Sequence, residues 1–272
     1  MIPSMPHSKG LVAYLNSVPF PFTMKHVFPF DDSTPQLKDG ELNSAESWDV
    51  LRQSHEHFSI SENREEWLKA AQALVKKDGQ DGGLVQRAKE VVSLIRRLGV
   101  TSVFSAGVGG AGLEYQVKTM LPEVQLTCSE YSPVNVAALK KVFLECDEII
   151  PFDMNVSDWS IALKDVDPER ELCLLYRVDI HLTNDEMKRV FERMHAAGIK
   201  NVLCIMCGYL TARGILHRFS QRLQWRMHGV KYTFAGYLRT KAAFESFWRQ
   251  SYTSQEMEFG GLKSFLLTRI PD

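Results

Sequence analysis

The run Val103-Phe104-Ser105-Ala106 leads straight into Gly107-Val108-Gly109-Gly110-Ala111-Gly112, and then into Leu113-Glu114 and a helix-patterned stretch. Four glycines within six residues, flanked by a buried-strand pattern and a helix, leave few alternatives for the local fold. Glycine reaches positive φ without a Cβ penalty and lets a ligand approach the backbone. The helix that follows presents unpaired N–H groups and a partial positive charge. In doubly wound sheets ligands sit over the C-terminal ends of the strands, where such a turn lies. The feature therefore predicts a strand–turn–helix unit inside an α/β domain, with a ligand crevice above the turn.

The rest of the chain fits that frame. Ser44 to Leu98 is helix-patterned. Trp48, Leu51 and His55 share one face, Trp67, Ala70, Ala71 and Leu74 another, and Leu84, Ala88, Val91, Val92, Ile95 and Leu98 a third, with Gly99 as a stop. Beyond Gly99, strands and helices alternate. Strands are predicted at Thr101–Ala106, Val124–Glu130, Ile149–Phe152, Leu172–Val178 and Asn201–Met206, and helices follow the glycine turn and occupy Pro133–Leu144 and Asn184–Ala197. This alternation predicts a mostly parallel sheet with helices on both faces. Tyr252–Phe259 and Leu262–Ile270, joined by Gly260-Gly261, read as a closing antiparallel hairpin. The fold class is thus α/β, doubly wound, with a C-terminal antiparallel hairpin and a helical N-terminal extension. Residues 1–83 form an arm and extension placed to act as a lid, and 84–272 the main domain.

Two ligand classes suit the turn. Gly107, Gly109 and Gly112 match G-x-G-x-x-G, and Glu130, 18 residues beyond Gly112, ends the second strand where an acid would accept from ribose hydroxyls. A nicotinamide dinucleotide or S-adenosylmethionine would each use such a pair. The surrounding residues separate them. Leu121-Pro122-Glu123-Val124, the strand ending Cys128-Ser129-Glu130, and Ser132-Pro133 resemble the second motif of class I (Rossmann-like) S-adenosylmethionine-dependent methyltransferases. Ile149-Ile150-Pro151-Phe152-Asp153-Met154 resembles their third motif, and Leu172–Leu182 with the capping-box residues Thr183 and Glu186 resembles the fourth strand and next helix. The closing hairpin is also usual in that family. The resemblance spans about residues 84–272 and is strongest over 101–206.

It implies a cofactor site of Ser105, Gly107, Gly109, Glu130, Asp153 and Met154. Gly107 and Gly109 would line the methionine part, Glu130 the ribose, and Asp153 with Met154 the adenine. Ser105 stands where the family usually has an acid, and Ala111 replaces a glycine. The function implied is methyl transfer from S-adenosylmethionine to a small-molecule oxygen or nitrogen acceptor. Two other readings are a non-catalytic domain of this fold, motivated by Ser105, and an NAD(P)-dependent oxidoreductase. His181, at the ligand edge after the fourth strand, is the first candidate base. Asp179 and Tyr209 lie at comparable edges, and His55 and His57 would reach the site if the extension closes over it.

A net charge of −1 points to neither nucleic acid nor membrane for the chain as a whole. The segment 208–250 differs: eight basic residues against one acid, Glu245, leave an acidic acceptor, or even a nucleic acid, open. Arg218, Arg222 and Arg226 form a stripe expected to be solvated, beside an apolar face of Leu216, Phe219, Leu223 and Met227. Of five cysteines, Cys204 and Cys207 form a C-x-x-C whose first member lies in an apolar strand, so packing is favoured over metal or redox use. The first residues lack a secretory pattern and no segment has the apolar length of a membrane span, so a cytoplasmic protein is expected, with a homodimer open.

Overall fold

The computed structural model describes residues 18–29, 60–76 and 83–271. In chain order the elements are β1 (Thr23–Pro29), α1 (Arg64–Lys76), α2 (Gly83–Leu98), β2 (Ser102–Ala106), α3 (Gly112–Met120), β3 (Gln125–Glu130), α4 (Pro133–Val142) and β4 (Glu148–Pro151). There follow β5 (Glu171–Tyr176), α5 (Asn184–Ala196), β6 (Asn201–Ile205), α6 (Ala212–Met227), β7 (Tyr232–Arg239), α7 (Lys241–Trp248), β8 (Tyr252–Phe259) and β9 (Leu262–Arg269). Seven strands form one sheet in the order β4-β3-β2-β5-β6-β9-β8. Neighbours from β4 to β6 are parallel, and β9 runs antiparallel to both β6 and β8.

The central strands are apolar throughout because both faces are covered. Along β2, Val103 joins Leu172 and Leu174 of β5 under Ala88, Val91 and Ile95 of α2. Phe104 and Ala106 point the other way, into a core with Val190, Phe191 and Met194 of α5 and Phe244 and Trp248 of α7. Full burial of each such large side chain contributes about 2 kcal/mol. The helices start where their caps dictate. Ser132 accepts from the Asn135 N–H ahead of Pro133, and Thr183 and Glu186 form the reciprocal capping box expected of them. Gly260 and Gly261, both at positive φ, make the tight turn between β8 and β9.

From β2 the chain steps outward to β3 and β4, then crosses back to β5 and continues to β6 on the other side. The reversal lies between β2 and β5, and the glycine turn stands at the C-terminal end of β2, where sheets of this kind hold their ligands.

Several details depart from the sequence reading. β1 and β7 were not anticipated; they pair antiparallel as a separate ribbon, tying the described part of the N-terminal arm to the C-terminal half. Proline spacing conceals β1, whose seven residues begin two positions after Pro21 and end on Pro29. Ala70 is exposed although Trp67 and Ala71 are buried, and Leu98 is exposed at the end of α2. The amphipathic face of α6 is inverted. Leu216, Phe219, Leu223 and Met227 are 54–72% exposed, while Arg218 and Arg222 are half-buried on the side of β1. The inversion follows from β1, whose backbone offers carbonyls that guanidinium groups satisfy; Arg222 donates to the Lys25 carbonyl. Trp48, Leu51, His55, His57 and most of the arm lie outside the described residues.

Candidate functional site

Gly107, Gly109 and Ala111 all have positive φ, so the turn coils tightly between β2 and α3. The N–H groups of Gly107 and Val108 donate to the Ser129 carbonyl at 2.9 and 3.1 Å, pinning the turn to β3. A Cβ on Gly107 would stand 2.7 Å from Val178 Cγ1 and 3.8 Å from Met154 Cε, so only glycine fits there. At Gly109 and Gly110 a Cβ would meet no atom within 4 Å, so this part of the turn faces open space. Behind it, Trp67 Nε1 donates to the Gly110 carbonyl at 3.0 Å. That indole sits among Tyr115 and Phe143, with centroids 5.3 and 5.4 Å away, so α1 buttresses the turn from the rear.

Glu130, at the end of β3, is buried. Its Oε2 accepts from the Gly109 N–H at 2.9 Å and its Oε1 from the Ser132 N–H at 3.4 Å. The acid and the turn therefore meet directly. Ser105 lies below, fully buried on the side of β2 that faces α3, and its Oγ donates to Glu114 Oε1 at 2.7 Å. A carboxyl from α3, at 114, thus meets the strand at 105. Burial pushes the Glu114 carboxyl up to about 7; the Ser105 hydrogen bond pulls it down, and the charge of Glu130 adds to the rise. Glu114 was missed by the sequence reading. Its signal was a glutamate in the first turn of a helix, on the face that packs against a strand serine.

At the far side of the turn, Asp153 organises its own loop. Its Oδ1 accepts from the Asn155 N–H at 2.8 Å and its carbonyl from the N–H groups of Val156 and Ser157. Met154 is the residue of this loop whose side chain reaches Gly107, and Trp159 Nε1 fixes its carbonyl at 3.0 Å.

The loop after β5 carries Val178, Asp179 and His181. Asp179 is fully buried and accepts from the Cys207 and Gly208 N–H groups at 3.0 and 2.8 Å. Burial raises its pKa, and these two bonds with nearby Arg239 oppose the rise. It is a strut joining the loops after β5 and β6. Arg239, fully buried, clamps the same loop. Its Nη1 donates to the Asp179 carbonyl at 2.5 Å, its Nη2 to the Leu182 carbonyl and its Nε to Asn184 Oδ1 at 2.8 Å. Desolvation lowers the guanidinium to about 10. Tyr237 N–H donates to the Ile180 carbonyl at 2.8 Å, and Gly236, at φ 119°, lies so close to Ile180 that no Cβ would fit. Half-buried His181 is thus held on a loop fixed from two sides, three residues from the valine that touches the glycine turn. Tyr209, half-buried, stacks on Phe244 with centroids 6.4 Å apart.

The C-x-x-C is packing and strut. Cys204 is fully buried in β6, and the Cys207 thiol, raised chiefly by burial, lies 3.5 Å from Asp179 Oδ1. Among the described residues no histidine, cysteine or carboxylate group is arranged to hold a metal, and no helix is long and apolar enough to cross a membrane.

No family model matches the chain, and no curated protein does. Solved structures do. Human N-acetylserotonin methyltransferase, solved in complex with S-adenosylmethionine, superposes at a TM-score of 0.52 with 18% identity over 78% of this chain and 58% of its own. The chain has the class I methyltransferase fold. A putative O-methyltransferase from Nostoc punctiforme PCC 73102 matches this methyltransferase fold equally, at 0.52 with 14% identity over 75% and 60%. The chain spans about three-fifths of the length of these two structures.

Proposed function

We propose that the protein transfers a methyl group from S-adenosylmethionine to an oxygen or nitrogen of a small, anionic acceptor. The observation that carries this reading is the 2.9 Å contact between the Glu130 carboxylate and the Gly109 N–H, beside a glycine surface open to a ligand. A cofactor with a ribose and an amino-acid tail fits that pairing. Glu130 would accept from the ribose hydroxyls, the backbone of Gly107 and Gly109 would line the methionine part, and Met154 with the Asp153 loop would flank the adenine. Ser105 would contribute indirectly, through Glu114. The human structure that shares this fold was solved with the same cofactor. When bound, S-adenosylmethionine supplies an already activated methyl group, so the protein has mainly to position the acceptor and exclude water. His181 would take the proton from the acceptor's O–H or N–H. A cytoplasmic setting suits five free cysteines.

Calorimetry with S-adenosylmethionine, S-adenosylhomocysteine, NAD and NADP tests the proposal. Binding of the first pair alone supports it; binding of NAD or NADP points to an oxidoreductase, and silence from all four to a non-catalytic domain. Glu130→Ala is expected to weaken binding of the first pair by about tenfold or more, the loss of hydrogen bonds to a charged group. His181→Ala is expected to leave that binding intact and to lower turnover once an acceptor is found, by roughly a hundredfold.

A further inference from the structure

The ribbon of β1 and β7 and the helix α6 form a cap that stands against the His181 loop. Ile180, the residue before His181, packs against the cluster of Met24 of β1, Leu238 of β7 and Leu210, as does Ile215 of α6. The ribbon register sets His26 opposite Gly236, the glycine pressed onto Ile180. From Ile215, α6 continues to Arg218 and Arg222, one turn apart and both half-buried on the side of β1. Arg222 donates to the Lys25 carbonyl and Arg218 Nη1 to Gln221 Oε1 at 3.3 Å. Neither guanidinium has a carboxylate partner among the described residues. His26 lies within the field of both, with its Nδ1 buried and unbonded. Its pKa falls to about 4, first through burial and then through the two arginines. Of the other basic groups here, Lys25, Arg213, His217, Arg226 and Lys231 are exposed around the rim, and Arg239 is buried against the Asp179 loop.

Two guanidinium groups brought together beside a half-buried imidazole repel one another and shed part of their hydration. Guanidinium forks match the oxygens of phosphate and carboxylate, so an anion entering between them relieves that repulsion. We propose that Arg218, Arg222 and His26 form an oxyanion subsite that receives a phosphate or carboxylate group of the methyl acceptor and so directs its reacting atom toward His181. The assignment rests on the methyl-transfer reading above. Neutral at pH 7, His26 adds a ring N–H donor without adding a third charge. The inverted orientation of α6 then has a purpose: its arginines are turned inward to meet a substrate, at the cost of an exposed apolar face.

The test titrates the full chain with inorganic phosphate and separately with acetate, and measures S-adenosylhomocysteine affinity in parallel. Wild type is expected to bind one of the two anions, the tighter one identifying the acceptor group, and the His26 ring resonances are expected to shift on binding. Arg218→Gln with Arg222→Gln should weaken that binding by about tenfold or more, and should leave S-adenosylhomocysteine affinity within about twofold, the sites being separate. Arg218→Lys, which keeps the charge, should retain most of it. Anion binding that is absent, or indifferent to both arginines, in a protein that binds S-adenosylhomocysteine overturns the subsite and leaves the methyl-transfer reading standing. Failure to bind S-adenosylhomocysteine overturns that reading and with it the acceptor assignment.

Discussion

Replacing Glu114 by glutamine tests whether the buried carboxyl that meets Ser105 is held as a neutral acid. Glu114 is fully buried and its pKa rises from 4.5 to about 7. Between those values the folded protein keeps a proton that the unfolded chain releases, so stability falls as pH rises through this window. Below pH 4.5 the group contributes no pH-dependent penalty. Above pH 7 the penalty is complete, and a rise of about two and a half units corresponds to roughly 3 kcal/mol. Glutamine cannot ionise, yet it still offers an oxygen to the Ser105 hydroxyl 2.7 Å away. In urea unfolding at pH 4.5 and pH 8, Glu114→Gln should match wild type at the lower pH and exceed it by about 3 kcal/mol at the higher. Glu171, also raised to about 7 by burial, destabilises both proteins alike, so it cancels in the difference. An equal stability difference at the two pH values would refute the assignment of Glu114 as neutral acid in the folded state.

Gly107→Ala imposes a positive φ on alanine and a contact with Val178 Cγ1, and should lower stability by about 2 kcal/mol or more; adding Val178→Ala should recover the contact part only, read from thermal midpoints. Arg239→Met strands the Asp179 and Leu182 carbonyls and should cost about 3 kcal/mol in denaturant unfolding. Trp67→Phe keeps the ring packing but loses the bond to the Gly110 carbonyl, so about 1 kcal/mol is expected from the same measurement.

The parts of the fold legible in sequence are those with short-range causes. The glycine turn, the capping box at Thr183 and Glu186, and the Gly260-Gly261 hairpin each follow from backbone preferences of a few adjacent residues. β1 was hidden because its partner, β7, is about two hundred residues away and its own composition is broken by proline. α6 was read with the right periodicity and the wrong face, because which side of an amphipathic helix turns inward depends on what it meets. Around the glycine turn, the meeting of Gly109 with Glu130 follows a spacing visible in the sequence, but the contacts of Glu114, Val178 and Arg239 do not. Each acts through a neighbour distant in the chain: Ser105, Gly107 and the carbonyls around His181.

Order along the chain was thus enough to determine the parallel sheet, the glycine turn after β2 and the hairpin that closes the sheet, since alternation, glycine and capping act over a few residues. Tertiary structure alone decided where charge ends up. It set a helix carboxyl against Ser105, buried a guanidinium behind the His181 loop and turned two arginines toward β1, because the cost of a charge is set by everything packed around it and not by its place in the sequence.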